Sequence, residues 1–112
     1  MRILITVSPR MYREALALAV HNNRPGLEVR IAPPTEGEAE VVNFRPHLLV
    51  HDDKDGMDQR LLSDLPCWVE VLYTDSMNAK IAVDGSISEV SDISIDDLTG
   101  VLKEAERLIS EA

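Results

Sequence analysis

The residues Leu48–Gln59, LLVHDDKDGMDQ, carry the strongest indication of the fold. The first three of them are apolar, and a histidine and three aspartates follow within five positions, before Gly56. An apolar run of this kind is typical of a strand that is buried on both faces. Glycine suits a turn at no steric cost, so the acidic residues are expected in a loop. The stretch therefore predicts a central strand, His47–Asp52, with carboxylates at its carboxyl end.

On both sides of this strand, other short apolar runs alternate with helical patterns. The remaining predicted strands are Arg2–Val7, Leu27–Ala32, Cys67–Thr74 and Ser86–Ser91. Such alternation predicts a parallel sheet with helices on both faces and right-handed crossovers. We expect a three-layer α/β sandwich whose five parallel strands run in the order 2-1-3-4-5. Residues 1–112 suit a single domain.

The segment before the last predicted strand has two interpretations. Only 12 residues lie between Thr74 and Ile87, and a parallel crossover needs about a dozen or more. The first interpretation is therefore a fourth helix shortened to one or two turns. The second is a β-hairpin, because the turn sequence VDGS, Val83–Ser86, lies between KIA and ISEV.

Composition limits the classes of function. The net charge of −9 disfavours nucleic acids and anionic membranes as partners. The longest apolar runs are too short to span a bilayer. Cys67 is the single cysteine, so an intrachain disulfide is impossible, and the N-terminus lacks a signal-peptide pattern. We therefore expect a cytoplasmic protein that binds neither nucleic acid nor membrane.

Four motifs in order along the chain resemble one family. MYREAL resembles LFREAL, FRPHLLVHDDKDG resembles xxPDLVLLDLxMPG, VLYT resembles VLTA, and SEVSDISIDDL resembles YLLKDASPEEL. The chain thus resembles, over nearly its whole length, the receiver domain of two-component response regulators. The resemblance implies a flavodoxin-like fold and a role in signal transduction. It also puts Asp52 at the phosphoryl-accepting position.

Two departures from the receiver pattern weaken the expected chemistry. Receivers carry an acidic pair that holds magnesium after the first strand, where this chain has Val7 and Ser8. They also carry a lysine at the end of the fifth strand, where this chain has Ser91. Phosphoryl transfer depends on positioning and on charge neutralisation by such groups. We therefore expect Asp52 to be a poor phosphoryl acceptor.

Neighbouring polar residues leave a second hypothesis open, that of a phosphorylation-competent receiver. Asp53, Asp55 or Asp75 would replace the missing pair as magnesium ligands. Thr74 would supply the hydroxyl that receivers place after the fourth strand, with Tyr73 as the alternative in that register. These residues are the supporting positions that the resemblance implies.

The acidic loop is also a candidate transition-metal site. His51 and Asp53 would share one strand face, and an imidazole with carboxylates such as Asp55 suits zinc or manganese. A polar turn explains the same residues more simply. We therefore predict no metal site and no cofactor, apart from magnesium under the second hypothesis.

Our leading hypothesis is a stand-alone, degenerate receiver-like module that is not an enzyme and acts through an unidentified protein partner. Receivers commonly bind through the fourth helix, fifth strand and fifth helix, which correspond here to Met77–Val83, Ile87–Val90 and Asp97–Ile109. A short crossover would expose the fifth strand and favour a homodimer through the fourth crossover, this strand and the last helix. A third hypothesis is a small flavodoxin-like enzyme or ligand-binding domain with a pocket over the strand ends.

Overall fold

The structure is a computed structural model that describes residues 1–52, 56–72, 78–91 and 94–111, with only the backbone at positions 95 and 111. The strands are β1 (Arg2–Ile5), β2 (Glu28–Ile31), β3 (Leu48–Asp52), β4 (Cys67–Leu72), β5 (Asn78–Val83) and β6 (Ser86–Val90). The helices are α1 (Arg10–Asn23), α2 (Gly37–Phe44), α3 (Gln59–Ser63) and α4 (Ile95–Glu111), with a short 3-10 turn at Pro34–Glu36.

These strands form a six-stranded mixed sheet in the order β2-β1-β3-β4-β5-β6. The first four pair in parallel, which confirms the predicted order 2-1-3-4 and the α/β class. The prediction of a five-stranded, fully parallel sheet is wrong, because β4–β5 and β5–β6 are antiparallel. The predicted fifth strand is β6, and β5 separates it from β4.

The hairpin interpretation of VDGS is the one that the structure adopts. Asp84 and Gly85 both have left-handed backbone conformations, with φ of 50° and 83°. A two-residue turn with two positive φ values matches the twist of the strands that it joins. Of the segment in which a shortened fourth helix was expected, the described residues 78–85 form β5 and this turn instead.

Helices cover the sheet on both faces, so the three-layer arrangement is present. Alternate residues of the central strands point to opposite sides. On one side, α1 and α4 pack on a cluster that includes Ile3, Ile5, Leu48, Val50, Val69 and Leu102. On the other side, a smaller cluster beneath α2 and α3 contains Leu4, Val41, Leu49, Leu62 and Trp68. The hydrophobic run of β3 thus fills both cores at once.

The covering layer is incomplete over the hairpin. The helix α3 has only five residues, and four of the five residues of β6 are exposed. The hairpin therefore leaves one edge and part of one face of the sheet open to contact.

The last helix begins with a capping box, in which the Asp97 carboxylate accepts hydrogen bonds from the Ser94 N–H and hydroxyl at 2.9 and 3.0 Å.

Candidate functional site

Asp52 lies at the carboxyl end of β3, as the sequence predicted, and its side chain is turned inward. One carboxylate oxygen accepts a hydrogen bond of 2.9 Å from the backbone N–H of Ser8. The residue is only 1% exposed. Since a buried carboxylate is costly unless it is hydrogen-bonded, this bond is part of what allows the charge to be buried. It also joins the end of β3 to the segment that follows β1.

A buried arginine lies on the other side of the same peptide group. Arg13 of α1 is 9% exposed, and its Nη1 donates a hydrogen bond of 3.1 Å to the carbonyl oxygen of Val7. That carbonyl and the Ser8 N–H belong to one peptide unit, so the unit lies between a guanidinium and a carboxylate. The charged groups bind the matching ends of the peptide dipole. We call this arrangement the Arg13–Asp52 relay.

Sequence reasoning missed Arg13, although a signal was present. Arg13, Leu16, Ala17 and Val20 have the i, i+3, i+4, i+7 spacing of the buried face of a helix. A charge that begins such a stripe is expected either to reach the surface or to find a buried partner. Arg13 has a buried partner because the Val7 carbonyl lies within reach of its guanidinium. The periodicity of the helix does not predict where that carbonyl lies.

The residues at the receiver's acidic-pair positions have structural contacts. Val7 is fully buried in the core beneath α1 and α4, and the Ser8 N–H donates a hydrogen bond to Asp52.

Ser91, the position of the receiver's lysine, is exposed and follows β6. Because β4 and β5 separate β6 from β3, three strand spacings, about 14 Å, separate the two strands. A side chain at Ser91 is thus one strand further from Asp52 than a 2-1-3-4-5 sheet implies.

His51 and Asp52 lie on opposite faces of the sheet. His51 is 1% exposed and packs edge-on against Trp68, with ring centroids 6.1 Å apart and an interplanar angle of 72°. It therefore belongs to the face covered by α2 and α3, while Asp52 points toward α1. The pleat of β3 thus prevents the two from forming one ligand set.

Within the described parts of the chain, no group of three or more His, Cys, Asp or Glu side chains is placed to hold a metal ion. Asp53, Asp55, Tyr73, Thr74 and Asp75 lie outside the described residues, so their supporting roles stay predictions. None of the helices among the described residues is long and apolar enough to cross a membrane.

Cys67 has the environment of a packing residue. It is fully buried in the core beneath α1 and α4, and burial raises the pKa of its thiol. A raised pKa keeps the thiol protonated at neutral pH, whereas the thiolate is the reactive form. The environment of Cys67 therefore disfavours a nucleophilic role.

The open edge of the sheet is the second candidate site. Ile87 is 62% exposed on β6. It pairs across the hairpin with Ala82, and Glu89 pairs with Lys80. Lys80 in turn pairs with Glu70 of β4, so a row of alternating charges lies beside an apolar row on the same face. We call β6 with these two rows the β6 edge.

A scan against protein-family models, a search of curated proteins and a search of solved structures each find no match to this chain. The resemblance to receiver domains therefore depends on the sequence motifs alone.

Proposed function

We propose that this protein is a receiver-like signalling module of the cytoplasm that is not an enzyme and acts through protein–protein contacts, without efficient phosphorylation. The observation that supports the proposal is the Arg13–Asp52 relay. The carboxylate at the acceptor position is buried and holds the backbone of Ser8. A phosphoryl donor would have to reach an oxygen of this buried carboxylate in line, which is the positioning on which such transfers depend.

The alternative, a phosphorylation-competent receiver, is supported by the position of Asp52 at the carboxyl end of the central parallel strand, where ligands bind in such sheets. Incubation with acetyl phosphate and magnesium, followed by intact-mass measurement, separates the two proposals. We expect no stoichiometric adduct of about 80 daltons, the mass of one phosphoryl group. An adduct that is absent from the Asp52→Asn variant would establish the alternative.

We further propose that the β6 edge is the contact surface and that it pairs with the same edge of a second copy. An exposed strand edge presents unpaired backbone N–H and C=O groups, which a second strand satisfies. An antiparallel pairing about a two-fold axis at Ile87 would put this residue opposite the same residue of the second copy. The apolar row would then continue across the interface.

A matched pair of substitutions tests this pairing. Ile87 on β6 and Leu18 on α1 are 62% and 61% exposed, so lysine at either position changes charge and surface hydropathy alike. We expect sedimentation to show a dimer for the native chain and for Leu18→Lys, and a monomer for Ile87→Lys. A native chain that is monomeric at high concentration would exclude the self-pairing. A dimer that survives Ile87→Lys would place the interface elsewhere.

A further inference from the structure

A cavity of about 160 Å³ lies on the face of the sheet that carries α1 and α4. It is separate from both the Arg13–Asp52 relay and the β6 edge. Its floor is formed by β3 and β4, and its sides are formed by the N-terminal half of α1 and the N-terminal end of α4. The lining residues are Tyr12, Leu16, Val50, Val69, Val71, Ser94 and Leu98.

The sequence explains why space remains at this position. The floor consists of valines, whose short side chains fill little of the gap between two helices. An ion pair of 3.0 Å between Arg24 and Glu106 joins the helices near their other end. Among the lining residues that the structure describes, Tyr12 alone is aromatic, in a chain with an aromatic content of 4%. The cavity is therefore a consequence of the aliphatic composition of the core.

The lining defines the chemistry of a ligand. Of the seven lining residues that the structure describes, five are aliphatic and none is charged. The Ser94 hydroxyl is already bonded to the Asp97 carboxylate at 3.0 Å, and burial raises the pKa of Tyr12, so its phenol is neutral. Because Tyr12 and Leu16 are only half-buried and Ser94 is exposed, the cavity has an opening to the surface between the helices.

We propose that this cavity is a binding site for a small, uncharged apolar or aromatic molecule of about benzene size. An engineered cavity of about 150 Å³ with an apolar lining stays dry and takes up benzene in another protein. The volume here, about 160 Å³, is similar. A carboxylate or ammonium would have to shed its water without a charged partner among the described lining residues, which disfavours charged ligands.

Methyl NMR with benzene and benzoate as probes tests the site. We expect benzene to shift the methyl signals of Val50, Val69 and Val71, and to leave those of Leu4 and Leu49 on the opposite face unchanged. We expect benzoate to shift neither set. Benzene shifts of equal size on both faces would indicate non-specific partitioning. That result, or no shift at the solubility limit of benzene, would overturn the proposal.

A pair of leucine-to-phenylalanine variants provides the matched control. Leu16 lines the cavity and Leu61 packs on the opposite cluster, and both are half-buried, so each should accept a larger ring. We expect Leu16→Phe to fill the cavity and weaken benzene binding by about tenfold, the equivalent of about 1.4 kcal/mol. Leu61→Phe should bind as the native chain does. Equal affinities in the two variants would refute the assignment, provided that amide spectra show both to be folded.

Discussion

Removing the Asp52 carboxylate should destabilise the fold, because the structure uses it as a hydrogen-bond acceptor. In Asp52→Ala, the Ser8 N–H loses the acceptor that it has at 2.9 Å. A hydrogen bond to a charged group contributes about 1.5–3 kcal/mol, and an unsatisfied buried donor costs about 1–3 kcal/mol. We therefore expect the free energy of unfolding to fall by about 2–3 kcal/mol. Asp52→Asn keeps an acceptor oxygen without the charge and should lose about half as much.

The relay also predicts a coupling between its two charged residues. Arg13 and Asp52 bind opposite ends of one peptide unit, so each should matter less when the other is absent. In a double-mutant cycle of Arg13→Met and Asp52→Ala, we expect an interaction energy of about 0.5–1.5 kcal/mol. Asp64→Ala is the matched control, because Asp64 is exposed. Surface substitutions usually change the free energy of unfolding by no more than about 0.5 kcal/mol.

Urea unfolding, followed by far-ultraviolet circular dichroism and by Trp68 fluorescence, measures these differences. Agreement between the two probes establishes two-state behaviour, which the comparison requires. An Asp52→Ala protein as stable as the Asp64→Ala control would refute the structural role. A more stable one would indicate an acidic site that is strained for function, as in many active sites.

Three further predictions concern the core, the glycines and the pH dependence. Leu49→Ala, at a fully buried position of β3, should cost about 2–5 kcal/mol in urea unfolding, and a loss below about 1 kcal/mol would show that the position is not core. Gly100→Ala, inside α4 with open space around the new Cβ, should stabilise the protein by about 0.5–1 kcal/mol. Gly85→Ala, at φ +83°, should destabilise it by about 1 kcal/mol. Differential scanning calorimetry should therefore show melting temperatures that move in opposite directions for these two variants. The pKa of His47 is lowered by burial, by the nearby Arg2 and by the N-terminus, and its Nδ1 accepts the Arg2 N–H at 2.9 Å. Because the unfolded ring binds a proton more readily, the contribution of neutral His47 to the free energy of unfolding should be complete above about pH 6.5 and be lost as the pH falls through the lower folded pKa. A His47→Gln protein whose stability has the same pH dependence as the native chain between about pH 5 and 7 would contradict this.

Local patterns in the sequence determined most of the elements. The apolar run of β3 identified the central strand, because a strand that is buried on both faces is apolar along its whole length. The order of the four parallel strands followed from their alternation with helices. The position of Asp52 at the end of β3 followed from the same reasoning, since the side chains after a parallel strand lie at its carboxyl edge.

The second neighbour of β4 in the sheet and the contacts of Asp52 depend on how whole elements pack. The residues before β6 are numerous enough for a short crossover and also suit a hairpin, so local propensity left both open. In the hairpin, Ala79 and Ile81 of β5 enter the core beneath α4. The relay joins α1, the residues after β1 and the end of β3, and its longest contact spans 44 positions along the chain. A contact between residues so far apart in the chain depends on where whole elements pack. The hydrophobic period, two residues in a strand and 3.6 in a helix, indicates only which face each element buries.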